Sequence, residues 1–424
     1  MMLIQDRTIT KIKEQAIRLE TSEDLDAIVA AVGGAKYVLL GEASHGTSEF
    51  YTLRAELSKR LIEEKGFSFI AVEGDWPSCF AVNRFVKGYD NTTAKEALQQ
   101  FNRWPTWMWA NEEIAEFTEW IASHNKKTGR RTGFYGIDVY SLWESMEQMV
   151  KQLEKISPED VEAAKKAIDC FEPFHRRPEN YGISASFYGE DCTEQIVNLL
   201  VKTRQNRHEY TDAEEAALNV EVNSLVMLNA ERYYRAMVLG GPDDWNIRDH
   251  HMVDALEKIM AHHGSGAKAI VWEHNTHVGD ARATDMREQG LVNVGQLLRE
   301  KHNEKEVYAV GFGTHHGSVI AARKWGERIE KMTVPAAEAG SWEDLMHKSG
   351  PFNKILFFTD ENRRDFEAVY GHRAIGVVYN PEIEHLGNYV PSRMSNRYDA
   401  FIYVEETNAL TPLTLTKLPE FVDV

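Results

Sequence analysis

Two short stretches of this chain place ionisable groups where an apolar strand should end. In "VLLGEASHG", residues 38–46, Glu42 and His45 stand three apart just after an apolar run. In "IVWEHNTHVGD", residues 270–280, another such run leads into Glu273, His274, His277 and Asp280. "FIAVEGDWP" adds Glu73 and Asp75, and "FYGIDVYS" adds Asp138. A buried acid costs on the order of several kcal/mol unless it is paired or hydrogen-bonded. Four strand ends with the same habit therefore point to one shared site. The set suits hydrolysis: a neutral imidazole, with an unperturbed pKa of ~6.5, can take a proton from water near pH 7. A carboxylate on its far nitrogen would fix the tautomer and stabilise the imidazolium that forms. Arg54, on the stretch after His45, could neutralise a carboxylate or a developing oxyanion.

Other readings of the same residues stand beside this one. Glu42, His45, Glu73, His274 and His277 are all legitimate ligands for zinc or manganese, so a divalent metal assisting the hydrolysis is the alternative. H-E-x-x-H is absent, however, and no cysteine joins the set. Taken singly, Glu42 reads as a helix cap, Asp75 as a turn residue, Asp138 as a cap and Arg54 as half of a surface ion pair. His124, His208 and His302 read as structural histidines. The sequence has no G-x-S-x-G elbow and no P-loop. "GFGTHHG" at 311–317 leaves His315 and His316 lining a cleft or facing solvent.

The elements that would hold these groups are legible as short apolar runs. Strands are expected at 37–41, 69–74, 133–138, 269–273, 307–313, 354–358, 374–379 and 400–405, without clean alternation, as for strands covered on both faces. Helical stretches at 47–64, 79–87 and 111–124 alternate with the early strands, which implies a layered α/β core with a central, mainly parallel sheet. From 143 to 263 the apolar spacing is helical and strand signal nearly vanishes. The expected organisation is an α/β core in two parts, 1–142 and 264–424, with a helical insertion at 143–263. Binding groups in open α/β sheets gather at the carboxyl ends of strands, where the charged pairs fall. There is also an internal echo: aligned without a gap from Ala35 and Ala267, Glu42 falls opposite His274 and His45 opposite His277.

"RWPTWMWANEE" at 103–113 holds Trp104, Trp107 and Trp109. These read first as packing aromatics and second as an apolar wall for a large ligand. "NAERYYRAMV", with Tyr233, could supply the facing wall. A non-catalytic binder of a large amphipathic molecule is the reading from a different class.

Composition narrows the partners. With 48 Lys and Arg against 66 Asp and Glu, the formal charge is −18, which disfavours nucleic acid and anionic membrane surfaces. The three cysteines, Cys79, Cys170 and Cys192, form no C-x-x-C pair and fit a reducing compartment better than a disulfide scaffold. No apolar run approaches the ~20 residues of a membrane span. A cytoplasmic protein is the expectation; oligomeric state is open.

"GEASHGTSEF", "VEGDWP", "FYGIDVYS", "YYRAM" with "WNIRDHHM", and "EHNTHVGDAR" together resemble the erythromycin esterase-like family, in family order over most of the chain. The resemblance implies an α/β core with a helical part over a deep cleft, and hydrolysis of an ester or lactone such as a macrolide ring. It implies that His45 is the base activating water, with Glu42, Glu73, Arg54 and His274 as the matching site residues. It implies no serine nucleophile. Substrate contacts are expected from His277, Trp104, Trp107, Asp138 and Tyr233. No cofactor is required, with a divalent metal on Glu42, His45, Glu73 and His274 as the alternative.

Overall fold

The computed structural model describes residues 2–206 and 213–416. His208 lies outside the described residues. Eleven strands are present among them: β1 Ile17–Arg18, β2 Tyr37–Leu40, β3 Phe69–Asp75, β4 Gly133–Asp138, β5 Ala269–Trp272, β6 Val307–Ala322, β7 Ile329–Val334, β8 Lys354–Phe357, β9 Val369–Arg373, β10 Tyr389–Arg393 and β11 Ala400–Thr407. Nine of them form one sheet in the order β1-β8-β11-β6-β2-β5-β3-β4, with β7 folded back on β6; β9 and β10 make a separate hairpin. The pairs from β11 through β4 are parallel, and β8, β1 and β7 run antiparallel at the margins. The fold is α/β.

Both sheet faces are buried, which explains the continuous apolar runs. Val38, Leu40, Ile70, Val72, Ile270 and Trp272 point into one core, while Tyr37, Leu39, Phe69, Ala71, Ala269 and Val271 point into the other. Period-two alternation persists in direction but not in polarity. Between β4 and β5 lie the helices Leu142–Ile156, Val161–Phe171, Pro178–Ile183, Thr193–Gln205, Ala216–Leu239 and Asp243–His263. Val139, Leu142, Met146, Tyr181, Met227 and Tyr234 share a third apolar core among them.

Three expectations are corrected. Residues 374–379 form no strand; Ile375 and Val378 make single bridges to Ser44 and Ala322 as the segment crosses the end of the sheet. The strand that starts at Val307 runs on to Ala322, because its far half pairs with β7 beyond the reach of β2. Cys170 and Cys192 are joined by a disulfide with a Cα–Cα distance of 5.9 Å, leaving only buried Cys79 free. The cross-link ties the end of helix Val161–Phe171 to the start of helix Thr193–Gln205. No helix among the described residues is long and apolar enough to cross a membrane.

Candidate active site

Strand order brings the charged ends together. β5 inserts between β2 and β3, and β4 lies beyond β3, so the four ends stand side by side. The parallel register pairs Tyr37 with Ala269 and Leu40 with Trp272, the register of the internal echo. Continuing it sets Glu42 level with His274, and Asn275 N–H donates to the Glu42 carbonyl at 2.8 Å.

The motif glycines are there for close approach. A Cβ on Gly41 would lie 2.1 Å from Asn275 Oδ1, and one on Gly46 would lie 1.9 Å from the Ile320 carbonyl. Asn275 in turn pins the β5 turn to β6: its Nδ2 donates to the Phe312 carbonyl at 2.6 Å, and Phe312 N–H donates to its Oδ1 at 3.2 Å.

His45 is held from one side and free on the other. Its Nδ1 lies 2.8 Å from Glu42 Oε1, and Arg54 Nη2 donates to Glu42 Oε2 at 2.5 Å. Because a carboxylate oxygen accepts, Nδ1 carries the proton and Nε2 keeps the lone pair. That Nε2 is 3.9 Å from Glu73 Oε1. Burial works against protonation of His45, but Glu73 and Glu42 outweigh it and raise its pKa above the ordinary value. Arg54 is wholly buried on helix Ser48–Lys65, its guanidinium 4.6 Å from the Trp272 ring and 4.5 Å from Tyr51. It supports Glu42 from behind rather than facing the cleft.

Glu73 is the second anchor. Arg248 Nη2 donates to Glu73 Oε1 at 2.7 Å, and His274 N–H donates to Glu73 Oε2 at 2.8 Å. Burial alone would raise its pKa, but His277, His45 and Arg248 reverse the sign and hold the carboxyl ionised. Arg248 also forks onto Asp138, with Nε on Oδ1 at 2.9 Å and Nη2 on Oδ2 at 2.7 Å.

The two later histidines have different settings. His274 caps the short helix Asn275–Val278, with its Nδ1 accepting from Thr276 N–H at 3.3 Å. Its proton is therefore on Nε2, which is buried and makes no hydrogen bond. Burial first, then His45 and His277, lower its pKa well below normal, so the ring stays neutral. It lies beside His45, ring centroids 4.9 Å apart. His277 is locked: Arg248 Nη1 donates to its Nε2 at 3.1 Å, its Nδ1 lies 2.9 Å from Asp249 Oδ1, and Trp245 stacks on it at 4.6 Å.

A cleft of about 190 Å³ opens over this floor. His45, Glu73, Asp138 and Arg248 line its base; Phe101, Met108, Trp109 and Trp325 are among its apolar walls. Trp107 is buried in the sheet's core and does not line the cleft; Trp109 does, and its Nε1 donates to the Glu73 carbonyl at 2.9 Å. Trp104 packs edge-on against Trp325 with centroids 4.5 Å apart. Tyr233 touches the cleft residue Tyr140 through its hydroxyl at 3.4 Å. His277 is buried beneath Arg248. His124 stacks on Trp120, and His302 bonds Glu257 at 2.8 Å, both structural settings.

The geometry argues against the alternative metal set. Glu42 is occupied by His45 and Arg54, and the Arg248 guanidinium fills the space between Glu73, Asp138 and His277. A second cation there would face that fixed positive charge. Among the described residues, these donors do not converge into a metal-sized cluster; His315, His316 and Glu405 do. The residues at the cleft floor do not fit a resident metal.

Arg248, Asp249 and Tyr140 were not singled out from sequence. Arg248 and Asp249 lie in the motif "WNIRDHHM" on helix Asp243–His263, whose single residues carry no distinguishing signal of their own. The signal available was adjacent Arg and Asp beside Trp245, just after a Gly-Gly-Pro stop.

The model of the erythromycin esterase family matches residues 62–407. The chain belongs to the erythromycin esterase family. It is 21% identical to an erythromycin esterase type II from Escherichia coli over 377 residues, covering 79% of this chain and 84% of that protein. In fold it is similar to a crystal structure of a Bacillus cereus protein, with a TM-score of 0.81 at 16% identity, covering 97% of this chain and 99% of that one. It is likewise similar to a mutant of the erythromycin esterase EreC in its open conformation, with a TM-score of 0.67 at 17% identity, covering 93% and 97% of the two chains. Membership in this family supports a hydrolase of the esterase kind.

Proposed function

We propose that this protein hydrolyses an ester or lactone by direct attack of water, with His45 as the general base. One observation carries the reading: His45 Nδ1 is committed to Glu42, so its Nε2 lone pair faces the cleft beside Glu73. Water held at Nε2 gives up a proton as its oxygen attacks the ester carbonyl, and the imidazolium formed is stabilised by Glu42 and Glu73. The Arg248 guanidinium, at the cleft floor, is the donor near the developing oxyanion. Collapse of the tetrahedral intermediate returns the proton from His45 to the leaving alkoxide.

The enclosed space bears on substrate class. About 190 Å³ is below the ~300–1,000 Å³ of common ligand pockets. It suits the reacting ester and its nearest substituents, set against Trp109, Met108 and Phe101. A macrolide ring would extend past the mouth, over Trp325 and the Trp104 ring that packs on it. A mass-spectrometric screen of macrolides and simple esters, looking for gain of one water, tests the reading. Product formed by the protein and not by its His45→Asn variant is the expected result. Binding without product from every ester would leave a non-catalytic binder.

A further inference from the structure

We propose that His315, His316 and Glu405 form a binding site for a divalent transition-metal ion of the zinc class, away from the catalytic cleft. The proposal does not rest on the esterase reading. Both histidines come from the middle of β6 and Glu405 from the neighbouring parallel strand β11, where Val404 pairs with Thr314 and Glu406 with His316. Each of the three offers one ligand atom, and these atoms all lie within 4.8 Å of one another. Ligands ~2.0–2.1 Å from one tetrahedral ion stand ~3.4 Å apart, so side-chain rotations would have to draw the set together around the ion. None of the three lines the cleft.

The second observation is an unmet need. His315 is 8% exposed, yet its buried Nδ1 has no hydrogen-bond partner, and neither does the buried Nδ1 of His316. Buried polar atoms are nearly always satisfied, so two orphaned imidazole nitrogens on adjacent residues are unusual. Outer partners are present too. His347 Nδ1 bonds Glu405 Oε1 at 2.6 Å and its ring stacks on His315 at 3.9 Å; Tyr403 Oη donates to Glu405 Oε2 at 2.7 Å. Glu406 lies 4.0 Å from His316 Nε2, the carboxylate that commonly backs a ligating imidazole. Arg373, whose Nη1 donates to the carbonyls of Thr314 and His315, is balanced by Glu384. Two imidazoles and a carboxylate select zinc-class ions over magnesium or calcium. A bound ion would tie β6 and β11 together next to helix Trp342–Lys348.

The test is calorimetric titration of chelator-treated, desalted protein with zinc chloride, repeated on His316→Ala, Glu405→Gln and His45→Asn. The expected result is about one equivalent bound at micromolar affinity or tighter. His316→Ala and Glu405→Gln should each weaken it at least ~10-fold, and His45→Asn should leave it unchanged. His316 is partly exposed, so its variant tests the site without emptying the core. As an independent readout, zinc should raise the melting temperature of the parent and of His45→Asn but not of His316→Ala. No zinc binding, or binding equal in parent and His316→Ala, would overturn the proposal. Binding lost in His45→Asn but kept in His316→Ala would place the ion in the cleft and would also overturn it.

Discussion

Glu42 stands between His45 and Arg54, with one carboxylate oxygen 2.8 Å from His45 Nδ1 and the other 2.5 Å from Arg54 Nη2. This relay fixes the proton on the side of His45 away from the cleft, and everything proposed for the reaction depends on it.

Its first consequence is a pH profile. The folded pKa of His45 is raised, and the base works only when neutral, so activity should fall with acid through a midpoint above the ordinary ~6.5. Glu42→Gln removes one of the raising charges. Its acid limb should move to lower pH while kcat on the plateau drops, as read from kcat/KM against pH. An acid limb that stays put would remove Glu42 from the His45 environment.

Arg54 should matter for stability as much as for rate. It is fully buried against Glu42, and Arg54→Met leaves that carboxylate buried without its cation. Breaking such a pair from one side costs about 3–5 kcal/mol. Urea unfolding should show a loss of that order, with the double variant Arg54→Met, Glu42→Gln less destabilised than the single one.

Arg248 separates two carboxylates that would otherwise face each other. Arg248→Gln should lower kcat about 10²–10³-fold, since it removes the positive charge at the cleft floor. Arg248→Lys restores the charge but not the planar fork onto Asp138, and should recover only part of the rate. Steady-state kinetics on variants with unchanged circular dichroism decide this.

Glu273 lies beneath the site with both carboxyl oxygens buried and unpartnered. Burial, then the charges of Glu73 and Asp249, push its pKa well up, so the native state holds a proton that the unfolded chain releases above ~4.3. Stability from this group is complete below that value and declines as pH rises toward the folded pKa. Glu273→Gln should therefore gain on the parent with rising pH, by about 1.4 kcal/mol per unit within that window. Chemical denaturation at pH 5 and pH 8 is the measurement; a pH-independent difference would mean Glu273 is ionised in the fold.

Much of this site could be read in advance because strand ends carry it. Apolar runs marked β2, β3, β4 and β5, and the charges just beyond them are consecutive in sequence. The echo between Ala35 and Ala267 even matched the register of β2 on β5, since parallel neighbours ending at one site are built alike. What stayed hidden sits on elements whose pattern has another meaning. Arg248 and Asp249 are polar residues on a long helix, and nothing local distinguishes a helix face over a charged floor from one over solvent. Residues 374–379 have strand-like composition, but Gly376 and Val377 border the cleft, where only isolated bridges form. Of the tryptophans at 104, 107 and 109, spacing could not tell which turns inward to the core and which to the cleft. The Cys170–Cys192 pairing depended on how the helices between β4 and β5 pack, which sequence spacing did not reveal.

The most direct measurement is kcat/KM for ester hydrolysis by His45→Asn protein of verified fold, against the parent on the same substrate. Loss of the general base predicts a fall of about 10²–10⁴-fold with little change in substrate affinity. Turnover equal to the parent would contradict the account, because among the described residues lining the cleft no other group has a free imidazole nitrogen backed by a carboxylate.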